Sequence, residues 1–328
     1  MSSPIRKRKK RSPCLPWFLG IFAVGFILLF FVFNYFYGLL GQFNSNQFVS
    51  DPGRPVASLN FSKRVNILII GVDAPSLKES ARSDVLMVAS YYAKENNLKM
   101  LSVPRDTMVN PQGLGVCKIN ACNNPAFNIK FGTPFLIKAV EELLGIKIDA
   151  YVKTNFRGFS DIIDKLGGID LNVEKDMLYY DPIDKFKIDL KKGYQHLNGS
   201  MALQYVRYRS DLADFVLVDG KPMGRVARQA NFMKAILKEA SSPKNWFKLG
   251  QVMQAATDAI ETDLTPSMMI RLATKMKDVG PDGIKVLGFP GTDQYVNKIS
   301  YVIPNKVEIE KLVSENFLAG SDPIKPNP

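Results

Sequence analysis

The sequence predicts an α/β domain, with helices flanking a central sheet, held behind one N-terminal transmembrane helix. Three observations predict it. Residues Trp17 to Leu40 form a 24-residue apolar run broken only by Asn34 and softened by Tyr35 and Tyr37, long enough to cross a bilayer core of ~30 Å. Beyond it, "RVNILIIGVD" is continuously apolar and ends on Gly71 and Asp73, the pattern of a strand covered on both faces. Later stretches such as "TPSMMIRLATKM" carry helical spacing and a capping start.

The N-terminal arm comes first. "RKRKKR", Arg6 to Arg11, is a basic flank of the kind that stays on the cytoplasmic side, so everything after Gly41 is expected outside the cell. A cleaved signal peptide would have a shorter apolar core and a small-residue cleavage site, and "YGLLGQF" offers none. The expected layout is a cytoplasmic arm over 1–16, a transmembrane helix over 17–40, a linker over 41–62, a catalytic domain over 63–320 and a disordered tail over 321–328. The formal net charge is +12, and six of those charges sit in the arm, leaving +6 outside. A basic segment this short, placed beside a membrane span, argues against a nucleic-acid partner. The remaining excess suits an anionic ligand or a soluble surface.

The strands follow. "RVNILIIGVD", "DVLMVASYY" and "LKMLSVPRD" read as three strands, with "AKENN" as a turn between the last two. If successive strands are antiparallel, the end of the first, the start of the second and the end of the third meet at one edge. Asp73, Arg82, Asp84, Arg105 and Asp106 then converge there. Arg82 and Asp84, two apart, point to one side of an extended chain. A structural ion pair capping the sheet is the alternative. Arg207 and Arg209 in "YVRYR" would also share a face if extended, and two like charges on one face call for an anion between them. "GRVARQ" supplies Arg225, Arg228 and Gln229 at helical spacing, which a surface helix explains almost as well. Two carboxylates suit a hard cation such as Mg²⁺, and guanidinium forks suit phosphate oxygens. Together they outline a pyrophosphate site.

Downstream, "SSPKNWFKLGQVMQAATDAI" and "TPSMMIRLATKM" read as helices, the second with Thr265 as N-cap and Pro266 at its first position. "GIKVLGFPG" and "SYVIP" read as strands, "NKVEIEKLVSENF" as a closing helix and "SDPIKPNP" as the tail. The single histidine, His196, reads as a turn residue, and without further histidines neither Cys/His zinc chemistry nor a Ser-His-Asp triad has support. Cys14 precedes the span and reads as a reduced thiol. Cys117 and Cys122 lie outside, where a disulfide can persist, and either a small clip or two free thiols fits their spacing.

The landmarks "NILIIGVD", "ARSDVLMV", "LSVPRDT", "KIN", "LGGIDLNV", "DLKKGYQHLNGSMALQYVRYR" and "GRVARQ", in this order, resemble the LytR-CpsA-Psr family of cell-envelope phosphotransferases. The resemblance implies an α-β-α sandwich around a central mixed sheet, with an apolar channel for a polyprenyl tail. It implies Mg²⁺-dependent transfer of a glycopolymer, such as teichoic acid or a capsular chain, from an undecaprenyl-pyrophosphate carrier to peptidoglycan through a phosphodiester. Carried over, Asp73 and Asp84 look like the Mg²⁺ ligands, and Arg82, Arg105, Arg207 and Arg209 like the pyrophosphate clamp. Arg225 and Gln229 match the family's last motif. One departure stands out: Pro222 occupies a position where the family usually has an acidic residue, a role that Asp214 or Asp219 could fill. Two alternatives compete, a non-catalytic membrane-anchored binder of wall polymer and a lipid-pyrophosphate phosphatase. The carboxylates argue against the first, because pure polyanion binding gains nothing from them.

Overall fold

The computed structural model describes residues 57–318, apart from 78, 80, 183–185, 209–216, 219, 220, 223, most of 241–258, 277 and 280–282. The expected transmembrane helix, the basic arm, the tail and most of the helix expected over 241–260 lie outside the described residues. Among those described, no helix is long and apolar enough to cross a membrane.

The central sheet and the helices follow in chain order: β1 (Val65–Val72), β2 (Ser83–Tyr92), β3 (Asn97–Ser102), α1 (Thr133–Leu144), β4 (Ala150–Asn155), α2 (Phe156–Leu166), α3 (Gly199–Arg207), α4 (Gly224–Ala240), β5 (Ile260–Thr262), α5 (Pro266–Met276), β6 (Ile284–Leu287) and α6 (Lys306–Asn316). The spatial strand order is β5-β4-β1-β2-β3-β6. The β1–β2, β2–β3 and β4–β5 pairs are antiparallel, while β1–β4 and β3–β6 are parallel, so the sheet is mixed.

Why β1 reads as unbroken apolar sequence is visible in its packing. Leu68, Ile70 and Val72 enter a core shared with α1 and α6. Ile67 and Ile69 point the other way, into cores shared with α4 and α5. Both faces are covered, so both sets of the period-two alternation are apolar, and each fully buried side chain contributes ~1.5–3 kcal/mol. The β2–β3 turn closes at Asn96, whose φ of 46° is a left-handed conformation that asparagine tolerates well. A further core joins α2, α3 and α4 to two small ladders, Ile169–Val173 with Gly193–Leu197 and Met177–Asp181 with Phe186–Leu190.

Two local expectations are corrected. Tyr205 to Arg207 are not extended: α3 runs through Arg207, started by Asn198, whose side chain accepts from the Met201 amide at 2.9 Å. The Ala, Leu, Met and Gln that follow are strong helix formers, so Arg207 ends a helix and is not on a strand. His196 is not in a turn either. It lies in the strand Gly193–Leu197 opposite Asp170, with its Nδ1 2.7 Å from Asp170 Oδ1. Packing also begins before Lys63, since Ala57 is buried and its amide donates to the Asp263 carbonyl at 3.0 Å.

Candidate functional site

The sheet brings three chain segments to one edge. Asp73 follows β1, Arg82 and Asp84 flank Ser83 at the start of β2, and Arg105 and Asp106 come just after β3. All five line one cavity of about 430 Å³, together with Lys118, Asn120 and Asn124. This volume is within the range of small-ligand sites. Ser83 is wholly buried, and strand alternation turns its two neighbours toward the cavity.

Backbone features aim these side chains. A Cβ added at Gly71 would lie 2.9 Å from Val85 Cβ, so β1 and β2 approach more closely there than a side chain permits. The register shifts between Gly71 and Val72, and such an irregularity re-aims the residues after it, here Asp73. The loop from Asp73 to Arg82 is held at both ends by buried asparagines. Asn155, at the end of β4, donates to the Ala74 and Pro75 carbonyls at 3.0 and 3.2 Å while its Oδ1 caps α2 by accepting from the Gly158 amide at 2.8 Å. Asn123 donates to the Ala81 carbonyl at 2.9 Å. Behind Asn123, Thr133 Oγ1 lies 3.3 Å from Asn123 Oδ1 and 3.2 Å from Glu261 Oε1, and accepts from Lys153 Nζ at 3.2 Å. Lys153 and Glu261 form a buried ion pair at 3.1 Å.

The charges are mutually arranged. Arg105 Nη1 donates to Asp84 Oδ1 at 2.6 Å, Arg105 Nε lies 3.6 Å from Asp106 Oδ2, and Lys118 Nζ donates to Asp106 Oδ1 at 2.6 Å. Partial burial pulls the Arg105 pKa down, but the hydrogen bond and charge of Asp84, with Asp106 behind it, outweigh this and leave it above the ordinary arginine value. Lys118 and Asn120 are set in place by main-chain bonds, Ile119 N to Thr107 O at 2.8 Å and Asn120 N to Arg105 O at 3.2 Å. The exposed Arg82 guanidinium stacks 4.5 Å from the Phe127 ring centroid, which orients its plane while its N–H edges keep their donors.

The other candidates are placed differently. Arg207 sits between the rings of Phe156 and Phe186, 4.3 and 4.2 Å from their centroids. Phe156 directly follows Asn155, which pairs with Val72, so Arg207 is close to the same sheet edge, although it is not among the described residues lining the cavity. Arg209 is outside the described residues. Arg225 is placed by its backbone alone, on the first turn of α4, and Gln229 follows one turn later. Arg228 belongs to the scaffold: it is 2% exposed, its Nη1 lies 3.4 Å from Glu174 Oε1, and its guanidinium faces the Tyr208 ring. Pro222 pairs with Leu217 in a short ladder, and Asp214 and Asp219 are outside the described residues.

Sequence reasoning assigned no role to Lys118, Asn120, Asn123 or Asn155. Lys118 and Asn120 stood in "KIN", but Asn120 lies in the short helix Ile119–Asn123, so strand alternation gave no signal that they share a wall. The asparagine bonds to the loop carried no local signal.

The donor set suits Mg²⁺. Asp73 and Asp84 present oxygen to one cavity, Asp84 with a side chain 26% exposed, and Mg²⁺ characteristically takes one or two carboxylates and completes its shell with water and phosphate. Among the described residues no group of three or more His, Cys, Asp or Glu is placed to hold a metal ion.

Comparison with known proteins defines the class. A profile of the LytR_cpsA_psr family matches residues 41–317. The polyisoprenyl-teichoic acid–peptidoglycan teichoic acid transferase TagV of Bacillus subtilis is 33% identical over 259 residues, 76% of this chain; the match spans 63% of that relative's length. The crystal structure of B. subtilis TagV superposes with a TM-score of 0.63 at 32% identity, over 77% of this chain and 97% of that one. The structure of TagT bound to LIIa-WTA gives 0.64 at 26% identity, over 81% and 97%. The chain belongs to the LytR-CpsA-Psr family.

Proposed function

We propose that this chain transfers an anionic glycopolymer from an undecaprenyl-pyrophosphate carrier to peptidoglycan, joining them by a phosphodiester. One observation carries the reading: three carboxylates, two arginines and a lysine converge on a single cavity of about 430 Å³, and with Asp106 bonded to Lys118 the remaining pair, Asp73 and Asp84, is the complement expected for a metal-bound pyrophosphate. The name of the related TagV enzyme, a teichoic acid transferase, supports it.

In this reading Arg82 and Arg105 hold phosphate oxygens through charge-assisted bonds. Arg207 and Arg209 complete the clamp, and Arg225 and Gln229 of the last motif supply further contacts. Asp73 and Asp84 would hold Mg²⁺, which when bound offsets the charge developing on the phosphate oxygens. Asp84 already anchors Arg105 and so fixes the clamp relative to the metal-binding carboxylates. An acceptor hydroxyl bonds to the phosphorus nearest the glycan as the bond to the carrier phosphate breaks, so polyprenyl phosphate leaves and the hydroxyl proton passes to it or to solvent. Most of the rate gain in such a transfer comes from positioning and charge stabilisation. The polyprenyl tail would run into an apolar channel within the domain. The segment 17–40 would anchor the chain in the cell membrane, with the basic arm 1–16 cytoplasmic, 41–62 as a linker whose end, from Ala57, packs on the domain, and the catalytic domain 63–320 and tail 321–328 outside.

The test is incubation of the full chain with a synthetic lipid-pyrophosphate glycan and Mg²⁺, with and without peptidoglycan, followed by mass analysis. A glycan-phosphate joined to peptidoglycan is the expected product. Free glycan phosphate in both incubations would identify a phosphatase, and recovered substrate alone would identify a binder. For topology, protease added outside intact protoplasts should digest the domain but leave an epitope on the N-terminal arm protected; digestion of that epitope would reverse the orientation.

A further inference from the structure

The cavity wall that supplies Lys118 and Asn120 has a cysteine at each end. Cys117 lies in the short ladder opposite Val109 and is partly exposed, whereas Cys122 lies in the single-turn helix Ile119–Asn123 and is completely buried. Their sulfurs are 3.8 Å apart, as thiols. Main-chain bonds fix the backbone around both: the Ile119 amide donates to Thr107 O at 2.8 Å, and the Gly132 amide donates to Cys122 O at 2.9 Å. We propose that Cys117 and Cys122 form an intramolecular disulfide that staples this wall of the cavity.

The geometry asks for little movement. A disulfide needs sulfurs about 2.05 Å apart, against the 3.8 Å between the two thiols, so the bridge asks the sulfurs to approach one another from van der Waals contact. The environments divide the labour. The hydrogen bond from Cys122 holds the Cys117 thiol below its usual pKa, against the opposing effect of burial. The same contact, then burial, pushes Cys122 up. The accessible sulfur is therefore the better nucleophile. Its thiolate attacks a small-molecule or protein disulfide, forming a mixed disulfide at Cys117 and releasing one thiolate. Cys122 then gives up its proton and attacks the Cys117 sulfur, expelling the second thiolate. Two electrons pass from the cysteine pair to the attacked disulfide, which leaves as two thiols. The product links the strand before Lys118 to the turn after Asn120, so both cavity residues are held within a closed six-residue loop. This staple does not depend on the transferase reading.

Trypsin reads it out directly. Cleavage after Arg105, Lys118 and Lys130 puts Cys117 in peptide 106–118 and Cys122 in peptide 119–130. The full chain, equilibrated with glutathione disulfide, unfolded, alkylated and digested, should yield these two peptides joined, lighter than their sum by two hydrogens and separated by reduction. Recovery of both peptides alkylated, or linked only to glutathione or to Cys14, would overturn the proposal. A second measurement covers function of the staple: Cys117→Ser and Cys122→Ser should each melt below wild type in oxidising buffer, with the difference shrinking in dithiothreitol. Differences that are the same in both buffers would also overturn it.

Discussion

Arg105 joins the two charge types of the site, bonding Asp84 at 2.6 Å and reaching Asp106 at 3.6 Å from the cavity wall. Because a charge-assisted hydrogen bond contributes ~1.5–3 kcal/mol, Arg105→Ala should weaken polyprenyl-pyrophosphate binding roughly tenfold or more. The stability change should stay within ~1 kcal/mol, since the Arg105 side chain is 36% exposed and solvent screens the pair. Titration with the lipid pyrophosphate, alongside a melt, checks both, and unchanged affinity would remove Arg105 from the clamp. Arg105, Arg82 and Asp84 could be placed from sequence because three short, strongly patterned strands dictate their meeting. Arg207 could not: reading it as extended ignored Asn198, nine residues earlier, whose cap sets a helix in motion. Asn155 was equally hidden, since its partners Ala74 and Pro75 are about eighty residues away and nothing local marks a long-range side-chain to backbone bond.

At the scale of elements, the loop between β1 and β2 carries Asp73 at one end and Arg82 at the other, and its conformation is imposed from β4 and from the turn at Asn123. Asn155→Ala removes the cap of α2, a loss of ~1 kcal/mol, and leaves two loop carbonyls without this donor. The expected outcome is a small drop in denaturant midpoint together with a higher Mg²⁺ concentration for half-maximal transfer, because Asp73 is no longer held toward the cavity. A destabilised variant with wild-type Mg²⁺ dependence would show that Asn155 serves only as a helix cap. β1, β2, β3, β6 and the closing helix α6 were legible because periodicity and capping residues are local signals: Asn305, for example, accepts from the Glu308 amide and starts α6; β4 and β5 were not read. The His196 strand was not, since polar residues alternate along its exposed face and "GYQHLNG" carries glycines at both ends.

For the molecule as a whole, a sheet covered on both faces was legible from the continuous apolar run of β1, whereas its mixed character was implied only by the family resemblance and rests on the parallel β1–β4 and β3–β6 pairs. The cavity was legible only as a meeting of strand ends, because its remaining wall, from Cys117 to Asn124, is built by short ladders and turns without strong periodicity. What distinguishes a transferase from a sheet edge capped by ion pairs is whether the charges act on substrate. Asp84→Asn separates these, since it nearly preserves shape and removes the carboxylate charge. The measurement is transfer rate against Mg²⁺ concentration for wild type and Asp84→Asn, with melts of both. The proposed function requires a folded variant with melting close to wild type, strongly reduced transfer and a lost or weakened response to Mg²⁺, because the metal's contribution to charge stabilisation goes with its ligand. A folded Asp84→Asn that transfers at the wild-type rate with wild-type Mg²⁺ dependence would contradict it.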